Sequence, residues 1–553
     1  MYSDKKNVLQ LVSLLKAHHI CQIVVSPGSR NSPVIHSLAG DSFFTCHTVT
    51  DERSAGFYAL GIARYTGETV AVCCTSGTAV LNYGPAVAEA YYQQLPLVVI
   101  TADRPAAWID QMAGQTLPQP GIFNSLVKKS VQLPEITSRE DEWYCNRLIN
   151  EAILDTNHHG CGPVHINIPL SEPLFESTVK QLPEARKITR TTTSANYIER
   201  FAGRYERPLI MIGQMPGCHF HMQLSRLLSD HKCVILAEHL SNIPPEYGIR
   251  NFDAMLCSIA EDEQEEWAPD LLITMGGHIL SKRIRHFLRA HPPLEHWHVS
   301  PTGAIVDSFQ CLTDVIEMDE RAFIGGLPEQ TNTGQRRDAF CRQWLGRSLR
   351  IPEPAAREYS DMMIAGRLIK SLPPGAILQL ANSSSVRLAQ LFHLRSPHRV
   401  FSNRGTNGID GCLSTTIGQA AVSEGLTFLL IGDLAFFYDM NVLWNRSLPP
   451  RLRILLNNNG GGGIFYTLPG LGKSGIMEKH LAVGHSLSAR AWAEDQGFTY
   501  LSVSNEQELQ EQMPVFVCEK GDKPILMEAF TSKEKNAELL RNYYRSLRGI
   551  KEK

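Results

Sequence analysis

The chain lacks the marks of several protein classes. No uninterrupted apolar stretch approaches the roughly 18 residues that a membrane-spanning helix needs. The opening Met1-Tyr2-Ser3-Asp4-Lys5-Lys6 has no signal-peptide apolar core, so the expected location is cytoplasmic. Charge of one sign is missing too: 53 Lys and Arg against 56 Asp and Glu leave a net charge of -3, with no broad attraction for nucleic acid or an anionic membrane. The 13 cysteines are odd in number, form no Cys-x-x-Cys pair, and include Cys21, Cys73 and Cys74 within apolar runs. That pattern fits reduced, buried thiols better than a disulfide framework or a zinc site. The tightest cluster of metal-ligand types, Cys218-His219-Phe220-His221, has no further ligands nearby and reads as a helix start. No low-complexity segment interrupts the chain.

What is present describes an ordinary globular protein, 43% apolar and 20% charged. At 553 residues it exceeds one core, and length alone suggests about three to four domains. The runs 21–26, 69–75, 97–101 and 163–168 read as buried strands. Helical spacing fills 52–65, 78–94 and 140–157 between them. Strand candidates at 209–213, 233–237, 270–275 and 296–299 follow a polar linker at 181–205, and a less ordered stretch, 325–353, closes that part. A helix at 360–372 and a strand at 376–380 open the last part. Alternating strands and helices predict an α/β protein of three consecutive domains with mainly parallel sheets: 1–182, 183–353 and 354–553. The first and third share one strand-helix plan.

The chemistry gathers around Ile431-Gly432-Asp433-Leu434 and Asn457-Asn458-Asn459-Gly460-Gly461-Gly462-Gly463. Each follows an apolar strand, 426–431 and 452–456, so two neighbouring strand ends are predicted to offer a carboxylate, amide oxygens and glycine carbonyls to one point. An all-oxygen set with one carboxylate suits Mg²⁺ carrying a diphosphate. Asp51-Glu52 stands at another strand-to-helix junction, where acids also simply favour the positive end of a helix.

The ordered pair Gly432-Asp433 and Asn457–Asn459 resembles the thiamine-diphosphate motif, with Leu434 in place of its last glycine. Further stretches widen the likeness: Ser26-Pro27-Gly28-Ser29-Arg30, Asp51-Glu52-Arg53, Thr75-Ser76-Gly77-Thr78, Asp103-Arg104-Pro105, Asn382-Ser383, Ser402-Asn403-Arg404-Gly405 and Gly408-Ile409-Asp410-Gly411. In this order the chain resembles the 2-succinyl-5-enolpyruvyl-6-hydroxy-3-cyclohexene-1-carboxylate synthase family of menaquinone biosynthesis, from residue 20 to about 530 and less closely in the middle.

The resemblance implies pyrimidine-binding, central and diphosphate-binding domains in a homo-oligomer whose active sites lie between subunits. Its cofactors are thiamine diphosphate and Mg²⁺, with Mn²⁺ as an alternative; its substrates are 2-oxoglutarate and isochorismate. Glu52 becomes the acid facing N1′ of the cofactor's aminopyrimidine, and Ile409, Gly432, Asp433, Ala435 and Asn459 become cofactor contacts. Ser383, Arg387 and Arg404 fall on the 2-oxoglutarate side. Ser29, Arg30, Gln115, Lys282 and Arg283 fall on the isochorismate side; Gly114 stands before Gln115 where the family often has asparagine. Bidentate arginines suit such carboxylates. The metal ligands are Asp433, Asn459 and Gly461, with Asn458 and Gly460 as the other possible register.

Overall fold

The computed structural model describes the chain except residues 188–204, 218–220, 230–232, 305, 327–334, 356, 395–398, 446–447, 469–475 and 549–553. Most of the expected linker and the Cys218–Phe220 cluster therefore lie outside the described residues.

Three parallel sheets confirm the α/β expectation. The first contains β1 (Gln22–Val25), β2 (Thr45–Thr48), β3 (Val70–Cys74), β4 (Leu97–Asp103), β5 (Lys129–Gln132) and β6 (Pro163–Pro169), in the order β2-β1-β3-β4-β6-β5. The second contains β7 (Pro208–Ile212), β8 (Val234–Ala237), β9 (Leu271–Met275), β10 (Glu295–Val299) and β11 (Asp314–Ile316), in the order β11-β10-β9-β7-β8. The third contains β12 (Ile377–Leu380), β13 (Arg399–Phe401), β14 (Thr427–Gly432), β15 (Leu452–Asn458), β16 (Thr499–Val503) and β17 (Ile525–Phe530), in the order β13-β12-β14-β15-β17-β16. First and third sheets thus repeat one topology. Central strands such as β3, β4 and β6 are buried on both faces, which is why they read as unbroken apolar runs. The edge strands β2, β5, β11 and β13 are short and partly exposed, so their sequences do not stand out.

Strand order fixes where ligands fit, because chains leave the sheet in opposite directions between β1 and β3 and between β12 and β14. A crevice opens at the carboxyl ends of such strands. Ser26–Arg30 follows β1 and Thr75–Thr78 follows β3; Ser383 follows β12 and Asp433 follows β14.

Two sequence expectations need correction. The helix expected over 78–94 is two, Thr78–Asn82 and Gly84–Gln93, because Pro85 supplies no N–H and starts a new helix. The stretch 325–353 contains a 16-residue helix, Gln335–Arg350. Its arginines masked the apolar side, where Trp344 meets Phe340, four residues before it, together with Phe287 and Trp267.

The chain packs as two compact units. One comprises 1–192, 403–424 and 435–449; the other comprises 193–402, 425–434 and 450–553. In the first, helices Glu52–Thr66 and Cys412–Val422 cross closely at two glycines. A Cβ at Gly61 would stand 2.0 Å from the Thr415 carbonyl oxygen, and one at Gly418 would stand 2.1 Å from that of Tyr58. All described cysteines are free thiols. Among the described residues no helix is long and apolar enough to cross a membrane.

Candidate active site

In the second unit, Gly432 of β14 pairs in register with Asn457 of β15, so Asp433 and the asparagines leave adjacent strands side by side. Asp433 is 2% exposed and opens the helix Asp433–Asp439. Its Oδ2 accepts N–H bonds from Asn459 (3.0 Å), Gly460 (2.8 Å) and Gly461 (2.9 Å), while Oδ1 accepts from Leu434 (2.6 Å). His485 Nε2 stands 3.4 Å from Oδ2. Burial pushes the Asp433 carboxyl above its ordinary range, against the opposing pull of the Gly461 and Leu434 amides. The glycines allow this curl: Gly460 and Gly461 have φ of 78° and 141°, and a Cβ at Gly461 would lie 2.5 Å from the Ala482 carbonyl oxygen.

Hydrogen bonding differs between the residues of the two possible registers. Asn458 Nδ2 donates to Leu487 O and Glu528 Oε1, both at 2.8 Å, and its Oδ1 receives the Gly460 N–H at 3.3 Å. Gly460 O already accepts from His485 N–H (3.2 Å) and Lys533 Nζ (3.1 Å), which uses both lone pairs. Asn459 Nδ2 donates to Asp361 Oδ2 at 2.9 Å, but its buried Oδ1 has no hydrogen-bond partner among the described residues. Among the described residues, the backbone bond that Gly461 O accepts is the Gly463 N–H at 2.9 Å. Open acceptor capacity therefore lies at Asn459 and Gly461, and at Asp433 on Oδ1, which accepts one N–H where Oδ2 accepts three; oxygen donors of this kind suit a small hard cation. No group of three or more His, Cys, Asp or Glu among the described residues forms a self-sufficient metal cage. Three protein oxygens would leave a six-coordinate cation places for phosphate and water.

Also in this unit, Ser383 has φ +71°, a costly conformation for a residue with a Cβ, and directly precedes the helix Ser384–Ala389 that carries Arg387, without a side-chain capping bond. Arg387, Ser384, Asp361 and Asn459 line one cavity of about 180 Å³. Lys282 is exposed. Arg283 is ion-paired with Asp253 and lies over the Tyr544 ring at 4.7 Å. In this conformation its guanidinium is therefore occupied by the protein itself.

The first unit holds the remaining predicted residues. Glu52 is half-buried at the first position of its helix, whose N-cap Asp51 accepts the Ser54 N–H at 3.0 Å. Burial, then the neighbouring Asp51 charge, raises the Glu52 carboxyl above the usual glutamate value. Arg30 is 5% exposed and already bound, donating to Leu170 O at 3.0 Å and pairing with Glu172 Oε1 at 3.0 Å; Ser29 beside it is exposed. Gln115, with φ +56°, packs its backbone against Gly77, whose N–H is held by Gln119 Oε1 at 2.9 Å. Arg404 is buried, and Glu89 fixes the next two residues by accepting from Gly405 N–H (2.9 Å), Thr406 N–H (2.7 Å) and Thr406 Oγ1 (2.6 Å). Ile409, an apolar side chain 38% exposed, contrasts with Ala435, which is buried.

Asp361, Glu528, Lys533 and Glu89 were missed in the sequence. Glu528 left a visible signal, a charge inside the buried run Ile525–Phe530. Asp361 looked like any acid in a helix's first turn.

Residues 8–123 match the family model described as thiamine pyrophosphate enzyme, N-terminal TPP binding domain. A 2-succinyl-5-enolpyruvyl-6-hydroxy-3-cyclohexene-1-carboxylate synthase of Bacteroides thetaiotaomicron is 54% identical over 99% of this chain and 100% of its own length. Proteins of the same name from Phocaeicola vulgatus and Flavobacterium psychrophilum are 51% and 37% identical, over 100% and 98% of both chains. Full-length identity at this level, on top of the repeated sheet topology and the Asp433 loop, shows that the chain belongs to the 2-succinyl-5-enolpyruvyl-6-hydroxy-3-cyclohexene-1-carboxylate synthase family of thiamine-diphosphate enzymes.

Proposed function

We propose that this enzyme decarboxylates 2-oxoglutarate and joins the resulting succinyl carbanion equivalent to isochorismate, giving 2-succinyl-5-enolpyruvyl-6-hydroxy-3-cyclohexene-1-carboxylate for menaquinone biosynthesis. The observation that carries the reading is the Asp433 loop, where one buried carboxylate lies beside the unpartnered Asn459 oxygen. Asp433, Asn459 and the Gly461 carbonyl hold Mg²⁺, with Mn²⁺ able to substitute, and through it the diphosphate. Bound there, thiamine diphosphate supplies the stabilised carbanion chemistry that the side chains lack.

The chain's own groups bind, orient and hold a proton. Glu52, kept protonated to higher pH by its burial, donates to N1′ of the aminopyrimidine. Ile409, Gly432 and Ala435 contact the cofactor. Ser383, Arg387 and Arg404 grip the carboxylate of 2-oxoglutarate; the strained Ser383 backbone and the cavity that Arg387 shares with Asn459 support this role. Ser29, Arg30, Gln115, Lys282 and Arg283 bind isochorismate, for which Arg30 must exchange Glu172, and Arg283 must exchange Asp253, for a substrate carboxylate.

Each sheet centres one of three domains, 1–182, 183–353 and 354–553, and the protein works in the cytoplasm as a homo-oligomer with subunits sharing each site. Product mass spectrometry with 2-oxoglutarate, with and without isochorismate, tests the reading. The adduct is expected only when both substrates are present, along with Mg²⁺ and cofactor, and is lost in Glu52→Gln. Release of succinic semialdehyde alone under both conditions would instead indicate a simple decarboxylase.

A further inference from the structure

Asn459 can face a cation in two ways. Its amide carries an oxygen at one end and an NH₂ group at the other, nearly equal in size, and a half-turn exchanges an acceptor for two donors. The group at its far end decides which is presented. That group is Asp361, 3% exposed in the first turn of the helix Asp361–Ser371, whose Oδ2 receives Asn459 Nδ2 at 2.9 Å.

Asp361 is itself held by a directed chain of hydrogen bonds. Its N–H donates to Asn536 Oδ1 at 2.9 Å, so the NH₂ of Asn536 points the other way and donates to Thr531 Oγ1 at 3.1 Å. The Thr531 hydroxyl, already an acceptor there, gives its single proton to Asp361 Oδ1 at 2.6 Å. Asp361 Oδ2 is the oxygen that accepts from Asn459. Every link therefore turns the Asn459 oxygen away from Asp361, and that oxygen is the buried atom without a partner.

We infer that Asp361 is a positioning residue for the metal site, fixing Asn459 so that oxygen rather than NH₂ meets the cation. This rests on the reading of Asn459 as a metal ligand. A carboxylate reads out differently here from a near-isosteric amide. In Asp361→Asn the Thr531 proton still claims an oxygen, so the new NH₂ faces Asn459 and drives its oxygen inward, leaving an NH₂ toward the metal. Exchanging the pair, Asp361→Asn with Asn459→Asp, restores an oxygen on the metal side, since a carboxylate accepts from the new NH₂ with one oxygen and offers the other.

The test measures Mg²⁺-dependent binding of thiamine diphosphate to the full chain by calorimetry, with urea unfolding in the absence of both as the control for folding. Asp361→Asn is expected to raise the Mg²⁺ requirement about 10- to 100-fold, the usual effect of losing an outer partner of a metal ligand, and the exchanged pair is expected to recover most of that loss. An unchanged requirement in Asp361→Asn, or no recovery in the exchanged pair, overturns the inference. Should Asp361→Asn fail to fold, the exchanged pair carries the test alone: retained Mg²⁺ binding supports the positioning role, and lost binding overturns it. Asn459→Ala separates the two levels: if it binds Mg²⁺ normally, the ligand assignment fails and the inference with it. If it loses binding while Asp361→Asn keeps it, only the inference fails.

Discussion

Asn458 donates its amide to the buried Glu528 carboxylate at 2.8 Å, while its neighbour Asn459 keeps a buried oxygen without a hydrogen bond. Adjacent, chemically identical residues thus differ in bonding: one anchors the turn, and the other is the proposed metal ligand. Asn458→Ala removes bonds to Leu487, Glu528 and Gly460 and is expected to cost about 1–3 kcal/mol in urea unfolding without Mg²⁺ or cofactor. Asn459→Ala should cost less in that experiment and abolish the extra stability that Mg²⁺ and cofactor confer. The opposite ranking would contradict the division.

Glu52 carries a stability cost whose sign follows from its burial. Its folded carboxyl binds a proton more tightly than the unfolded one, so its unfavourable contribution grows as pH rises through the carboxylate range and stays in place above it. Glu52→Gln should therefore melt higher than the parent at pH 8 without cofactor. The gap should close near pH 4, where both side chains are neutral; equal melting at pH 8 would contradict the burial account.

Asp439 offers a second pH test within the first unit. Fully buried, it accepts Ser414 N–H at 2.8 Å and Ser414 Oγ at 2.6 Å, yet burial outweighs these bonds and pushes its carboxyl up to about 7. The folded state then holds the proton that the unfolded state gives up from about pH 4. Unfolding free energy should fall between pH 4 and 7, by up to about 4 kcal/mol, and level off above. Asp439→Asn should flatten that slope in denaturant titrations at pH 5 and 8, and an unchanged slope would assign it to other groups.

The crossing of helices Glu52–Thr66 and Cys412–Val422 is set by backbone contact. A methyl group at Gly61 or Gly418 meets a carbonyl oxygen at 2.0–2.1 Å, which side-chain movement cannot relieve. Gly61→Ala and Gly418→Ala should each destabilise by roughly 1–3 kcal/mol or more. Gly67→Ala, at the open end of the same helix, meets no atom within 4 Å and serves as a control with only its backbone strain (φ +74°). Thermal melts showing the crossing variants no worse than the control would disprove the close contact.

Much of this was legible because buried parallel strands read as apolar runs and polar clusters mark their ends. The α/β class, the shared plan of first and third sheets and the adjacency of Asp433 to the asparagines follow from those two patterns. The bonding that occupies Gly460 and Asn458 was not legible, since Gly460 accepts from Lys533 and Asn458 donates to Glu528, both far away in sequence. Nor was the helix Gln335–Arg350, whose polar surface outweighed its apolar side. The interlocking of 403–424 with the first sheet's unit left no trace beyond two glycines whose spacing means nothing until the helices meet.

Lys533 on the Gly460 carbonyl and Thr531 on the Asp361 carboxylate have a consequence for biosynthesis. Asp433 and the asparagines leave the ribosome well before either residue is made. A nascent chain can therefore pair β14 with β15 and still lack the groups that set the loop. Cofactor capture becomes a late event of translation, and a fragment halted ahead of Thr531 retains every proposed metal ligand but not the scaffold that aims them.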